Sequence, residues 1–442
     1  MDHAAPESPL KRQADIAKCL SEFILKEIAN IIGSYVYHLE GVAKKLVGPK
    51  NILGVLSDGR ILCRDSFDIF KVWNIDSIDN NFDIMFGEHN NGQHCWMELP
   101  NNTVAIGYSN ESISIYYIGA TENTVHCSIS GKECRLPYMT LCGHDGSALM
   151  CMEYISDNLI VSGGYALKIW NIQCDDYLHQ KEITKPYLVL EERTDPTDNY
   201  LITVLSVLSN TRIASGSIKG YPARADDSTI KIWNITNGEC ESVLRGHENI
   251  VCRIMPMFDH YVVSWSYEEG KTKIWNINLN NNKNNEKVEI KADITIADCY
   301  PVNHCTKRYK CSNSSSKFFT QKSILAKSLS PLDNTIKIFD CEKNYDFETN
   351  SLKHDPLLQS QLQPITFDIT LEENFSNRAF FLILPDDRIF GPADNKHSGL
   401  KIRDQTGSDL SMVLQSSGDQ YFELLPDGRV ISQSLDGIKI WH

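Results

Sequence analysis

No part of this chain is apolar for long enough to cross a bilayer as a helix. The run Ala379-Phe-Phe-Leu-Ile-Leu384 is of strand length, whereas a spanning helix needs about 18 or more such residues. The opening Met1-Asp-His-Ala-Ala-Pro-Glu7 has none of the apolar core of a secretory signal. An intracellular protein, cytoplasmic or nuclear, with no membrane partner is therefore expected. Basic charge is also short: 43 Lys and Arg against 57 Asp and Glu give a net charge of −14, the opposite of the footprint that nucleic-acid binding requires. The 14 cysteines include no C-x-x-C pair. Cys63, Cys151 and Cys252 fall in expected strands, where a reduced thiol acts as a small core hydrophobe. Cys299, His304, Cys305 and Cys311 lie close together, but their spacing matches no usual ligand pair, so no metal is expected. Missing as well are a G-x-S-x-G elbow, a phosphate loop ending in Gly-Lys-Ser/Thr, an H-E-x-x-H helix and a G-x-G-x-x-G turn. The chain reads as non-catalytic and without a cofactor, an enzyme being the distant alternative.

What the chain does have is one short phrase written eight times. It reads Phe70-Lys-Val-Trp73, Ile113-Ser-Ile-Tyr116, Leu167-Lys-Ile-Trp170, Ile230-Lys-Ile-Trp233, Thr272-Lys-Ile-Trp275, Ile336-Lys-Ile-Phe339, Leu400-Lys-Ile-Arg403 and Ile438-Lys-Ile-Trp441. Four of these run on into Asn-Ile, and their ends recur every 38 to 64 residues, the spacing of a repeat array with insertions. Alternation of a branched apolar residue with Lys or an aromatic has period two, so each phrase predicts a strand and not a helix.

The surroundings of each phrase say which array this is. Leu141-Cys-Gly-His144 precedes Trp170 and Leu244-Arg-Gly-His247 precedes Trp275, while Ala214-Ser-Gly-Ser217 and Asp227-Ser-Thr lead to Trp233, and Asp333-Asn-Thr leads to Phe339. Over residues 42 to 442 the chain closely resembles the WD40 β-propeller family. The resemblance implies an all-β propeller, of eight blades or alternatively seven. It also implies a hydrogen-bonded cluster of Gly-His histidine, turn Asp, strand Ser/Thr and strand Trp inside each blade. The residues so assigned are His144 with Trp170, Asp227 with Trp233, His247 with Trp275, and, by the same spelling, Asp333 and Trp441. Buried polar groups persist only when mutually satisfied, which gives such clusters the power to lock a turn to a strand. Departures are visible: the Trp233 blade lacks the His, Gly164 and Glu269 stand where Asp is expected, and the seventh phrase ends in Arg403.

The last phrase ends one residue before the sequence does, leaving its blade short of an outer strand. Gly41 to Ile52 parallels Gly238 to Ile250, so residues 42 to 47 are expected to pair with the final blade and remove an open edge. The chain thus divides into an N-terminal segment, 1–40, and a propeller, 41–442. In the former, Ile16, Leu20, Phe23, Ile24, Ile28, Ile31 and Ile32 recur at helical spacing before Gly33, predicting a short amphipathic helix. Ile24-Leu-Lys-Glu-Ile28 through Tyr35 is similar to the opening of an F-box, the module that links substrate receptors to ubiquitin ligases, although Lys26 stands where Pro is usual.

Insertions carry a propeller's individuality. Lys219, Tyr221 and Arg224 lie in an enlarged turn between Ser217 and Asp227, and are the candidate contacts for a protein or peptide, acidic or phosphorylated. Asn278 to Glu286 reads as a low-complexity hairpin tip without function, and the basic, Ser-rich stretch 304–322 as a solvated loop. Residues 173 to 200 read as an outer strand followed by an exposed loop. The function expected is a protein–protein interaction scaffold, the alternative a ubiquitin-ligase substrate receptor recruiting its adaptor through residues 15 to 40.

Overall fold

The computed structural model describes residues 42–46, most of 51–297, the strands between 323 and 415, and residues 421–434 and 437–441. The helix expected near the N-terminus, the enlarged turn expected around Tyr221 and Arg224, Asp227, Asp333, the Asn-rich stretch and the residues around Cys299 lie outside the described residues. Among those described there is no helix long and apolar enough to cross a membrane and no grouping of side chains suited to a metal ion.

All eight phrases lie in strands, and each lies in its own sheet. The Trp275 sheet is typical: Val251–Met257, Tyr261–Ser266, Lys271–Asn276 and Ile294–Ala297 run antiparallel in chain order, with the phrase third. Its third strand buries Thr272, Lys273, Ile274 and Trp275. The Asn-Ile continuation has a local purpose. Asn74, Asn171 and Asn234 each accept the amide two residues on, at 3.0, 2.9 and 2.9 Å, closing an Asx turn that ends the strand. The Ile after each of these, Ile75, Ile172 or Ile235, is buried and anchors that turn, and Ile277 after Asn276 is buried too.

The large cores lie between successive sheets. Ile160 and Trp170 pack with Met97, Ile113 and Leu141 of the preceding sheet, and Val262 and Trp275 with Ile230, Ile232 and Leu244. The same holds across the ends of the chain, where Leu425, Ile431, Ile438 and Ile440 share a core with Ile52, Ile61 and Trp73. Sheets that succeed one another in this way have the arrangement of β-propeller blades. Val42–Leu46 pairs antiparallel with Gly437–Trp441, Val42 opposite Trp441 and Leu46 opposite Ile438. Gln433 accepts the Ile52 amide at 3.0 Å, and Arg429 reaches Asp76 at 2.9 Å, so polar bonds reinforce the same junction.

Two expectations need correction. Cys252 is exposed, unlike Cys63 and Cys151: the strand Val251–Met257 turns only some of its side chains inward. The stretch 173–200 holds two described strands in different sheets. Leu188–Leu190 is the outer strand expected, but Lys181–Ile183 crosses to the preceding sheet and adds parallel to Met139–Leu141. Val288–Ile290 does the same against Cys240–Leu244, and Glu133–Arg135 against the edge of Phe82–Phe86. These three straps join neighbouring sheets at their outer edges.

Candidate functional site

The most elaborate polar site among the described residues lies at the head of the Trp275 sheet. Gly246 adopts φ +147°, a conformation that L side chains avoid, and this swings His247 inward. The His247 Nε2 lies 2.7 Å from Ser264 Oγ, and the Trp275 indole donates to the same oxygen at 2.7 Å. Nδ1 faces a carboxylate, which can only accept, so the neutral His247 ring carries its proton on Nδ1 and Nε2 accepts the Ser264 O–H. That proton goes to Glu269 Oε1 at 2.9 Å. The same carboxylate oxygen accepts the amides of Glu248 at 2.7 Å and Asn249 at 3.0 Å. Glu269 therefore ties the imidazole to two amides of the turn, although it stands where the sequence led one to expect Asp.

The electrostatics fit a neutral imidazole. Both side chains are only 1% exposed. Burial pushes His247 from its ordinary 6.5 down to about 4, outweighing the upward pull of Glu269. For Glu269 burial works the other way, but the His247 ring and the two amides outweigh it and hold the carboxyl below its usual range.

The Trp170 sheet repeats half of this design. Gly143 adopts φ +134°, His144 Nε2 lies 2.7 Å from Ser162 Oγ, and the Trp170 indole donates to that oxygen at 2.8 Å. Gly164, six residues before Trp170 as Glu269 is before Trp275, offers no carboxylate. Instead Lys168 Nζ donates to the Gly143 carbonyl. In the Trp233 and Trp441 sheets the indole donates to Ser215 at 2.9 Å and to Ser432 at 2.8 Å. The Tyr116 sheet substitutes a hydroxyl pair, Tyr108 with Tyr116 at 3.1 Å.

Trp170, Trp233, Trp275 and Trp441 thus sit in buried bonds between adjacent strands, and His144 and His247 tie a turn to two of these pairs. The sequence led one to expect a strand Ser/Thr in each cluster by type but not by number, because the serines recur only in register: Ser162, Ser215, Ser264 and Ser432 each lie opposite the Lys of the phrase on the adjacent strand. Of the candidate partner contacts, Lys219 ends the strand Arg212–Lys219, opposite Tyr200. Tyr221 and Arg224 lie outside the described residues. One further buried acid, Glu153, accepts the Val207 amide of the next sheet at 2.5 Å. Burial drives its carboxyl up to about 8, against the pull of that amide and of Arg253.

No family model matches the chain. Over 69 residues it is 32% identical to the nuclear distribution protein PAC1-2 of Uncinocarpus reesii, a match covering 16% of this chain and 15% of that protein. The chain therefore spans only a small part of the curated relative it matches. Among solved structures it is similar to the computationally designed Ika8 protein, at 17% identity and a TM-score of 0.48, covering 91% of this chain and 98% of the other. It is also similar to the WD40 β-propeller domain of Doa1, at 15% identity and a TM-score of 0.40, covering 81% and 94%.

Proposed function

We propose that this chain is a WD40-type propeller of eight blades, intracellular, acting as a non-catalytic platform that holds proteins together. The observation that carries the reading is the repeated cluster. In four sheets a strand Trp bonds a Ser of the adjacent strand, and in two of them a Gly-His histidine joins. Groups that elsewhere serve as acids and bases, His144, His247 and Glu269, are here committed to fixing turns. What varies from sheet to sheet is the connections, and a rigid scaffold with variable loops suits recognition. The enlarged turn with Lys219, Tyr221 and Arg224 is the partner surface, and its basic and aromatic character favours an acidic or phosphorylated peptide.

The test is affinity capture with three proteins: the full chain, the chain lacking residues 1–40, and a Lys219→Ala, Tyr221→Ala, Arg224→Ala triple variant. Partners should follow the first two and be lost from the third. Loss from the truncated protein alone would move recruitment to the N-terminal segment, as a ubiquitin-ligase receptor requires.

A further inference from the structure

The outer edges of the sheets are not finished alike. Phe82–Phe86, Met139–Leu141 and Cys240–Leu244 each carry a parallel strap. For the Tyr116 and Trp233 sheets, the strap comes from the connection between the third and fourth strands of the following sheet, and reads Lys181-Glu182-Ile183 or Val288-Glu289-Ile290. The Trp170 sheet between them has the same outer edge, Leu188–Leu190, and among the described residues no strand pairs with it on the outside. The reason is local. The connection that would supply a strap runs from Asn234 to Cys240, and it is closed into a tight turn by Gly238 N to Asn234 O and Asn234 N to Glu239 O, each 2.9 Å.

That edge is apolar on the side left open. Leu188 and Leu190 face the next sheet, whose Gly238 lies against both. By strand alternation Tyr187 and Val189 take the other face, and they are 67% and 38% exposed. These are two of the three exposed large apolar side chains among the described residues. The register also matches the strapped neighbour. In the Trp233 sheet Lys231, Val243 and Glu289 lie opposite one another across three strands, followed by Ile230, Leu244 and Ile290. In the Trp170 sheet Lys168 lies opposite Val189 and Leu167 opposite Leu190, and no strand among the described residues fills the third column.

We propose that the Leu188–Leu190 edge is a docking site for an extended segment of a partner protein. That segment adds as a parallel fifth strand and carries an acidic residue opposite Val189 and a branched aliphatic residue opposite Leu190. The proposal rests on the platform reading and gives it a second surface, on the rim. Main-chain bonds to the open edge supply affinity, and the alternating side chains supply selection.

The probe is a synthetic, fluorescently labelled peptide copying residues 179–186, which contains the neighbouring strap, titrated into the full chain. Saturable binding is expected, with amide-exchange protection confined to residues 187–190. Binding should be about tenfold weaker in Val189→Glu, which sets an acid against the peptide's own, and in the exposed-site variant Tyr187→Ala. A control peptide with the Glu and Ile changed to Lys and Asp should not bind. The Lys219, Tyr221, Arg224 triple variant should bind the peptide like the parent, so loss of rim binding with loop-dependent capture intact would sink this proposal and leave the platform reading standing. Equal binding by control peptide or by Tyr187→Ala would overturn it. So would peptide-independent dimers in sedimentation that Val189→Glu dissociates, because the edge would then belong to a second copy.

Discussion

The Trp275 and Trp170 sheets are built from the same phrase, yet one completes its polar cluster and the other does not. Both seat a histidine behind a glycine of positive φ and link it through serine to tryptophan. Only in the Trp275 sheet does a carboxylate, Glu269, take up the second imidazole nitrogen and two turn amides. A buried network is most costly to damage when every member depends on another. The same histidine should therefore matter more where the acid is present.

The largest contrast is expected from alanine at the two histidines. His247→Ala strips Glu269 of its ring partner in a site closed to water and should destabilise by about 3 kcal/mol, whereas His144→Ala, with no acid of this kind at Gly164, should cost about 1.5 kcal/mol. Denaturant titration of the two variants beside the parent gives the order, and equal costs would break the comparison.

Acidification should erode the difference. The folded pKa of His247 lies near 4, below its ordinary 6.5, so between these values the unfolded ring binds the proton first. The contribution of His247 is thus fully present above pH 6.5 and lost as pH falls toward 4. Glu269, held below its usual range, loses its part in the same direction. The penalty of His247→Ala, measured at pH 7 and at pH 4.5, should shrink at the lower value.

Transplanting the acid is the gentlest test. Gly164→Asp places a carboxylate at the spacing that Glu269 occupies, and should stabilise the Trp170 sheet by about 1 kcal/mol. The gain should vanish in a His144→Ala background, as thermal melts of the four proteins would show.

The sequence made the strands legible and left much of the site unread, for physical reasons. Lys-Ile-Trp repeats a period of two and is followed by an Asn that closes its own turn, so these strands are encoded locally. The pairing region for the last sheet was also readable, since Val42 to Leu46 matches other outer strands in pattern. Glu269 read as a departure from Asp because spelling does not reveal that a longer carboxylate reaches the same amides. The straps were hidden more deeply. Three residues such as Lys181-Glu182-Ile183 have no periodicity to speak of, and their place is set by the neighbouring sheet's edge. The Leu188–Leu190 edge differs from its neighbours only in pairing, which no stretch of sequence spells out.

The central claim is that these polar clusters hold the turns to the strands as a unit. It is tested most directly by a double-mutant cycle of His247→Ala and Glu269→Ala, read by native-state amide exchange in the strand Lys271–Asn276. A coupling of about 1.5 kcal/mol or more is expected, because either change alone already orphans the other group. Additive costs, with coupling near zero, would show that the two residues act separately and would contradict the account.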